Sequence, residues 1–317
     1  MSSPLKKFVE RFVPKGQSGQ SERIHIAAFG KHPGWDDHID DIGLETDVLI
    51  TAKRILYVQG VGGNIDSGSW DKLQENQPIE EFKHTITWYK GGDLIIGRMW
   101  SSRDGKGRTS YPMAVCVQCI KLPLEWVLSN ILPILEKVEK TCVATTSTAE
   151  VRLTIENARK ELHQLTQQCK PSPVLPPISK DVMAKLTRYP EMGGPNHQGL
   201  LRILYHIERE VTRDHLETSK NKTFRPILLR VPSSPAPVTE SALLWIHFLL
   251  KKFGMNTSVL MLMPLQKQWM DIIIGEPTHL QLYCLRASLA VIPLTSSIPY
   301  SISPEFTDRA IQLIEDS

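Results

Sequence analysis

Three apolar runs follow one another within thirty-seven residues: "HTITWY" (84–89), "DLIIGRMW" (93–100) and "PMAVCVQCI" (112–120). All are rich in β-branched and aromatic residues. The first two are separated by a short segment carrying Gly91 and Gly92, the chemistry of a tight hairpin turn. The second and third are joined by "SSRDGKGRTS". Antiparallel neighbours are therefore expected here, and a strand "RIHIAAFG" precedes them. Further on, "RPILLRVP", "TSVLMLMP" and "MDIIIGEP" read as three more strands. Between the two groups of strands the apolar spacing turns helical over about 124–220, in stretches such as "PLEWVLSNILPILEKVEK" and "STAEVRLTIENARKELHQL". The order strands, helices, strands predicts an α/β fold. Its centre is a single mixed, largely antiparallel sheet flanked by helices, rather than a βαβ repeat.

The chain has 317 residues, 41% of them hydrophobic, enough for a substantial core in one large domain. The expected division is 1–22, an amphipathic helix and flexible linker, followed by one domain over 23–317. Leu5, Phe8, Val9 and Phe12 share a helical face, with Lys6, Lys7 and Arg11 between them. This short helix either docks on its own domain or serves as a surface anchor, and membrane contact is expected only through it. The following "GQSGQSER" is linker-like. A proline-rich stretch at 170–177 is not taken as a domain boundary, because each flank alone has few strands.

The net charge of +3 is too balanced to point to nucleic acid. No run of about 18 apolar residues suggests a membrane span, and the N-terminus has charges where a signal peptide needs an apolar stretch. Five scattered cysteines fit reduced thiols, and a cytoplasmic location is expected. Cys116 and Cys119 form a C-x-x-C, but on a strand they point to opposite faces and no second pair completes a zinc site. "LETDVLITAKRILYVQG" reads as a helix ending at Gly60, "GVGGNIDSGSW" as a loop, and "THLQLYCLRAS" as the last helix. Neither G-K-[ST] nor G-x-G-x-x-G is present, and no cofactor is expected.

Two loops carry the polar chemistry. "FGKHPGWDDHIDDIG" (29–43) follows the first strand, and "SSRDGKGRTSYPM" (101–113) joins two later ones. Gly30 permits a sharp change of direction and Pro33 stiffens the loop. Lys31 supplies a compact positive charge, and Asp36 or Asp37 can accept backbone N–H bonds. Asp104 opens a turn at Gly105 and Gly107. Arg108 presents a flat fork suited to a carboxylate, either Asp37 or Asp104. The expectation is that both loops meet at one end of the sheet and lock by opposite charge. Trp35 either anchors a partner there or packs inward. An alternative is a divalent metal held by His32, Asp36 and His38 for hydrolysis, although "HPGWDDHIDD" has neither H-E-x-x-H nor calcium-loop spacing.

These loops resemble the TagF family associated with type VI secretion. That family has G-K-x-P-x-x-G-D after its first strand and S-x-D-x-x-G-R, then proline and an aliphatic residue, at a later strand. Here the first pattern falls on Gly30, Lys31, Pro33 and Asp37, with Asp36 where the family has glycine. The second falls on Ser102, Asp104, Gly107, Arg108 and Pro112. Gly275 and Pro277 match the ends of the family's closing G-L-P. The resemblance covers roughly 24–120 and 240–290. It implies a non-enzymatic cytoplasmic regulator that restrains assembly by binding a forkhead-associated scaffold protein. A structural subunit of a secretion or contractile machine, with the basic N-terminal helix as its contact, is a further alternative.

Overall fold

A computed structural model describes residues 23–90, 92–170, 198–217, 225–233, 238–254 and 256–315. The N-terminal helix, Gly91 and the proline-rich stretch from 171 lie outside them. All seven expected strands form: β1 (Ile24–Gly30), β2 (Lys83–Lys90), β3 (Asp93–Trp100), β4 (Met113–Cys119), β5 (Ile227–Pro232), β6 (Val259–Pro264) and β7 (Trp269–Ile274). They make one sheet in the order β1-β4-β3-β2-β6-β7-β5. Every neighbouring pair runs antiparallel. The two sequence-distant groups of strands join where β2 meets β6. The β2–β3 hairpin closes between Lys90 and Asp93, with Gly92 at φ +90°.

Nearly every strand residue is buried, because both sheet faces are covered. On one face lie α3 (Leu124–Ala144), α4 (Thr148–Gln168), α5 (Gln198–Glu217) and α6 (Val238–Phe253), packed over Val115, Val117, Leu229 and Ile272. The other face carries α1, which runs as an α-helix over Asp47–Ala52, a π-helix over Lys53–Gly62 and a last α-turn over Gly63–Asp66. With it are α2 (Ser69–Asn76) and α7 (His279–Leu282), packed over Phe29, Trp88, Ile95 and Ile273. A final helix, α8 (Pro304–Glu315), rests on the first face through Phe306 and Ala310. Cys116 and Cys119 point to opposite faces, as strand alternation requires.

Two expectations change. The helix does not end at Gly60, and the expected loop over 60–70 is mostly helical, because the glycines at 60 and 63 serve packing instead of turning. A Cβ at Gly60 would stand 2.5 Å from Leu282 Cδ1, and one at Gly63 would stand 3.1 Å from His279 Cβ. Asn64 ties the same contact by donating to the carbonyls of Gly60 and His279, both at 2.8 Å. In addition, α7 is not the last helix: it passes into a 3-10 turn over Tyr283–Arg286, and α8 follows.

A buried charge pair fixes the β5 end. Arg230 and Asp271 face each other across β5 and β7, with Nε–Oδ1 at 2.7 Å and Nη2–Oδ2 at 2.8 Å. Arg230 Nη1 also donates to the carbonyls of Ala287, Ser288 and Ile292. The guanidinium thus clamps the segment after α7 onto the sheet. Each outer edge of the sheet is also engaged at one position. Ala28 of β1 exchanges backbone hydrogen bonds with Ile42, and the Arg230 N–H of β5 donates to Thr295 Oγ1 at 3.1 Å.

Candidate functional site

The chain leaves β1 at Gly30 with φ +116°, where a Cβ would lie 2.3 Å from the Pro112 carbonyl oxygen just before β4. Only glycine fits that close approach. The Lys31 N–H then donates to Pro112 O at 3.1 Å, and Ile39 N–H returns to Gly30 O at 2.8 Å. The loop 31–42 is therefore folded back along β1, at the end of the sheet where β3 delivers the loop 101–112.

Asp104 organises that second loop. Its Oδ1 accepts from the N–H groups of Lys106 (3.0 Å) and Arg108 (2.9 Å), closing the turn that Gly107 completes at φ +81°. Its Oδ2 accepts from Lys31 Nζ and Arg108 Nε, each at 2.7 Å. Burial opposes ionisation of this carboxyl. The hydrogen bonds from Lys31 and Arg108 outweigh it and hold the group well below the usual carboxylate range. Arg108 Nη2 continues to Asp37 Oδ1 (3.2 Å) and the Asp36 carbonyl (2.9 Å), and Gly105 N–H donates to Trp35 O at 2.6 Å.

The two loops thus meet at one rim. Arg108 bonds Asp104 and Asp37 together rather than choosing between them. The latch has an inside and an outside: the Lys31 and Asp104 side chains are 4% and 0% exposed, those of Arg108 and Asp37 51% and 64%. Pro33 and Ser102 are half-buried between these anchors. Trp35 is half-buried too. It packs against the core of the α3–α4 face, donates to Asp40 Oδ2 at 3.4 Å and carries the Arg152 guanidinium 5.8 Å from its ring. It is a wedge between the rim and α4, packed inward along one side.

His32, Asp36 and His38 do not assemble a metal centre. Among the described residues no group of three or more His, Cys, Asp or Glu side chains is placed to hold a metal ion. His32 is buried with both ring nitrogens engaged: Nδ1 accepts from Gly34 N–H at 3.0 Å and Nε2–H donates to the Cys142 carbonyl at 2.9 Å. It thereby satisfies a carbonyl in the last turn of α3. Burial lowers its pKa, favouring this neutral form. Asp36 is exposed, and its carbonyl is what reaches Arg108. His38 is exposed, with Nδ1 3.1 Å from Asp37 Oδ1.

Beside the latch lies a cleft of about 490 Å³ that the loop motifs do not announce. Its walls are the rings of His38, Tyr57 and Tyr111, with centroids 5.1 to 5.8 Å apart. Tyr57 comes from the π-helical part of α1 and Tyr111 from just before β4. The only local hint of Tyr57's place was the glycine cluster after it, which marks where α1 is held close to its neighbours.

The fold and rim define an all-antiparallel α/β protein with a charge-locked loop pair at one sheet end. No family model matches the chain, and no curated protein matches it. Among solved structures, the crystal structure of PA0076 from Pseudomonas aeruginosa PAO1 is similar over 42% of this chain and 62% of that one, at 14% identity and a TM-score of 0.33. The match spans less than two thirds of that protein, and a likeness at this level carries no argument about fold or function.

Proposed function

We propose that the chain is a cytoplasmic, non-enzymatic regulator of type VI secretion, which grips a forkhead-associated scaffold component at the rim and withholds it from assembly. The observation that supports this reading is that the loop carrying Gly30, Lys31, Pro33 and Asp37 meets the loop carrying Ser102, Asp104, Gly107 and Arg108 at one rim, where Lys31 and Arg108 both bond Asp104 and Arg108 also bonds Asp37. These are the residues on which the resemblance to TagF proteins rests. The buried Lys31–Asp104 pair holds both loops in place before any partner arrives, so little ordering cost is left for binding. The outer Asp37 and Arg108, with exposed Arg103 and Lys106, offer charges of both signs for steering and register. Among the described residues no helix is long and apolar enough to cross a membrane.

Calorimetry with the purified forkhead-associated protein encoded nearest this gene tests the proposal. The native chain is expected to bind. Asp37→Ala, which removes an exposed rim charge and leaves the buried Lys31–Asp104–Arg108 contacts in place, should weaken binding about tenfold with little change in melting temperature. Absence of binding by the native chain would overturn the reading.

A further inference from the structure

The aromatic cleft beside the latch has a charge that the latch does not explain. Asp40, Asp41 and Asp66 line it, against one ammonium, Lys53. Lys53 is taken by Asp41, and Asp40 is bound by Arg152. Asp66 is exposed and has no ion-pair partner among the described residues. The rings behind these carboxylates already tolerate a cation, since Lys31 Nζ stands 5.8 Å from the Tyr111 centroid.

A second, independent feature marks the cleft as incomplete. Tyr57 is 3% exposed, and its hydroxyl is buried with no hydrogen-bond partner among the described residues. Burial, and after it the neighbouring Tyr111, Asp37 and Asp41, disfavour its ionisation, so this hydroxyl stays neutral. A buried polar atom without a partner is costly, and an incoming N–H donor would supply one. Next to the cleft, sharing Asp41, Lys53 and Val58 with it, runs an open groove of about 650 Å³. There Ile50 and Val58 are 48% and 55% exposed.

We propose that this cleft receives an arginine side chain of a protein partner docked at the rim, its guanidinium lying between the Tyr57, Tyr111 and His38 rings and Asp66. A guanidinium fits better than an ammonium: it is flat, stacks on aromatic faces, is weakly hydrated and brings several donors, enough for a carboxylate and the Tyr57 hydroxyl together. The exposed Ile50 and Val58 then take apolar residues flanking that arginine. The inference rests on the reading of the rim as a protein-docking surface, but its test needs no scaffold protein, so the two fail separately.

The probe is Nα-acetyl-L-arginine amide, titrated into the full chain while the ring resonances of Tyr57 and Tyr111 are followed by NMR. The control is Nα-acetyl-L-citrulline amide, which keeps the shape and removes the charge. Saturable shifts are expected with the arginine probe, at least about tenfold tighter than with citrulline. Asp66→Asn should weaken the arginine response several-fold, and Tyr57→Phe should weaken it without lowering the melting temperature. Equal responses to both probes, no saturable shift, or full retention in Asp66→Asn would overturn the proposal. Equal affinity for Nα-acetyl-L-lysine amide would overturn the assignment to a guanidinium.

Discussion

Two charged clusters hold loops to this sheet, one at each side, and they differ in how much water reaches them. Around Arg230 and Asp271 there is none: both side chains are at most 1% exposed, and the arginine's remaining donors end on carbonyls. At the rim, only the inner pair of Lys31 and Asp104 is enclosed, and Arg108 and Asp37 stand half in solvent. A buried bidentate pair secures a fold but presents nothing to a partner. A graded cluster does both, with the buried members fixing the geometry and the exposed members displaying charge.

That contrast is open to breakage by substitution. The largest effect is expected for Arg230→Met, which leaves the Asp271 carboxylate enclosed and three carbonyls unpaired; a loss of about 3–5 kcal/mol in urea unfolding should follow. The double change to Met and Leu should recover much of it. Next is the acid response of the enclosed side. Burial, with the charges of Arg230 and Arg98 added, pushes His84 down from 6.5 to about 3. Because the folded value lies below the unfolded one, the unfolded chain binds the extra proton between them. This contribution is complete above pH 6.5 and is lost as pH falls, by about 1.4 kcal/mol per unit. His84→Gln should flatten that slope in denaturation curves recorded across the window. Smaller again is Lys31→Met, about 2 kcal/mol, because Arg108 and two backbone N–H groups still hold Asp104. Smallest is Asp37→Ala, expected to cost about 1 kcal/mol or less and to matter little at high salt. If Asp37→Ala proves as damaging as Arg230→Met, the rim is no more than a second structural clamp.

The strands and the rim were legible for a local reason. Each strand is a short β-rich run between turn residues, and each rim residue belongs to a loop whose glycine, proline and charges are contiguous. The Arg230–Asp271 clamp was not legible, because its members are 41 residues apart and each sits inside an apolar strand that local pattern reads as uniformly buried. The helical course of 61–66 was hidden by Gly60, Gly62 and Gly63. Sequence alone cannot separate a glycine that turns the chain from one that clears room for Leu282 and His279. Trp35 and Tyr57 shared a further difficulty: helix α4 and the start of β4 decide what surrounds them, and neither lies near them in the chain.

The covered edges of the sheet constrain how this molecule can be recognised. With Ile42 bonded to Ala28 on β1 and Thr295 capping the amide of Arg230 on β5, the backbone groups at these positions are already taken from an incoming extended peptide that would extend the sheet. Recognition by main-chain zippering is blocked at these positions, as is sheet-to-sheet polymerisation. On the proposed reading, a partner would have to recognise side chains at the sheet's end.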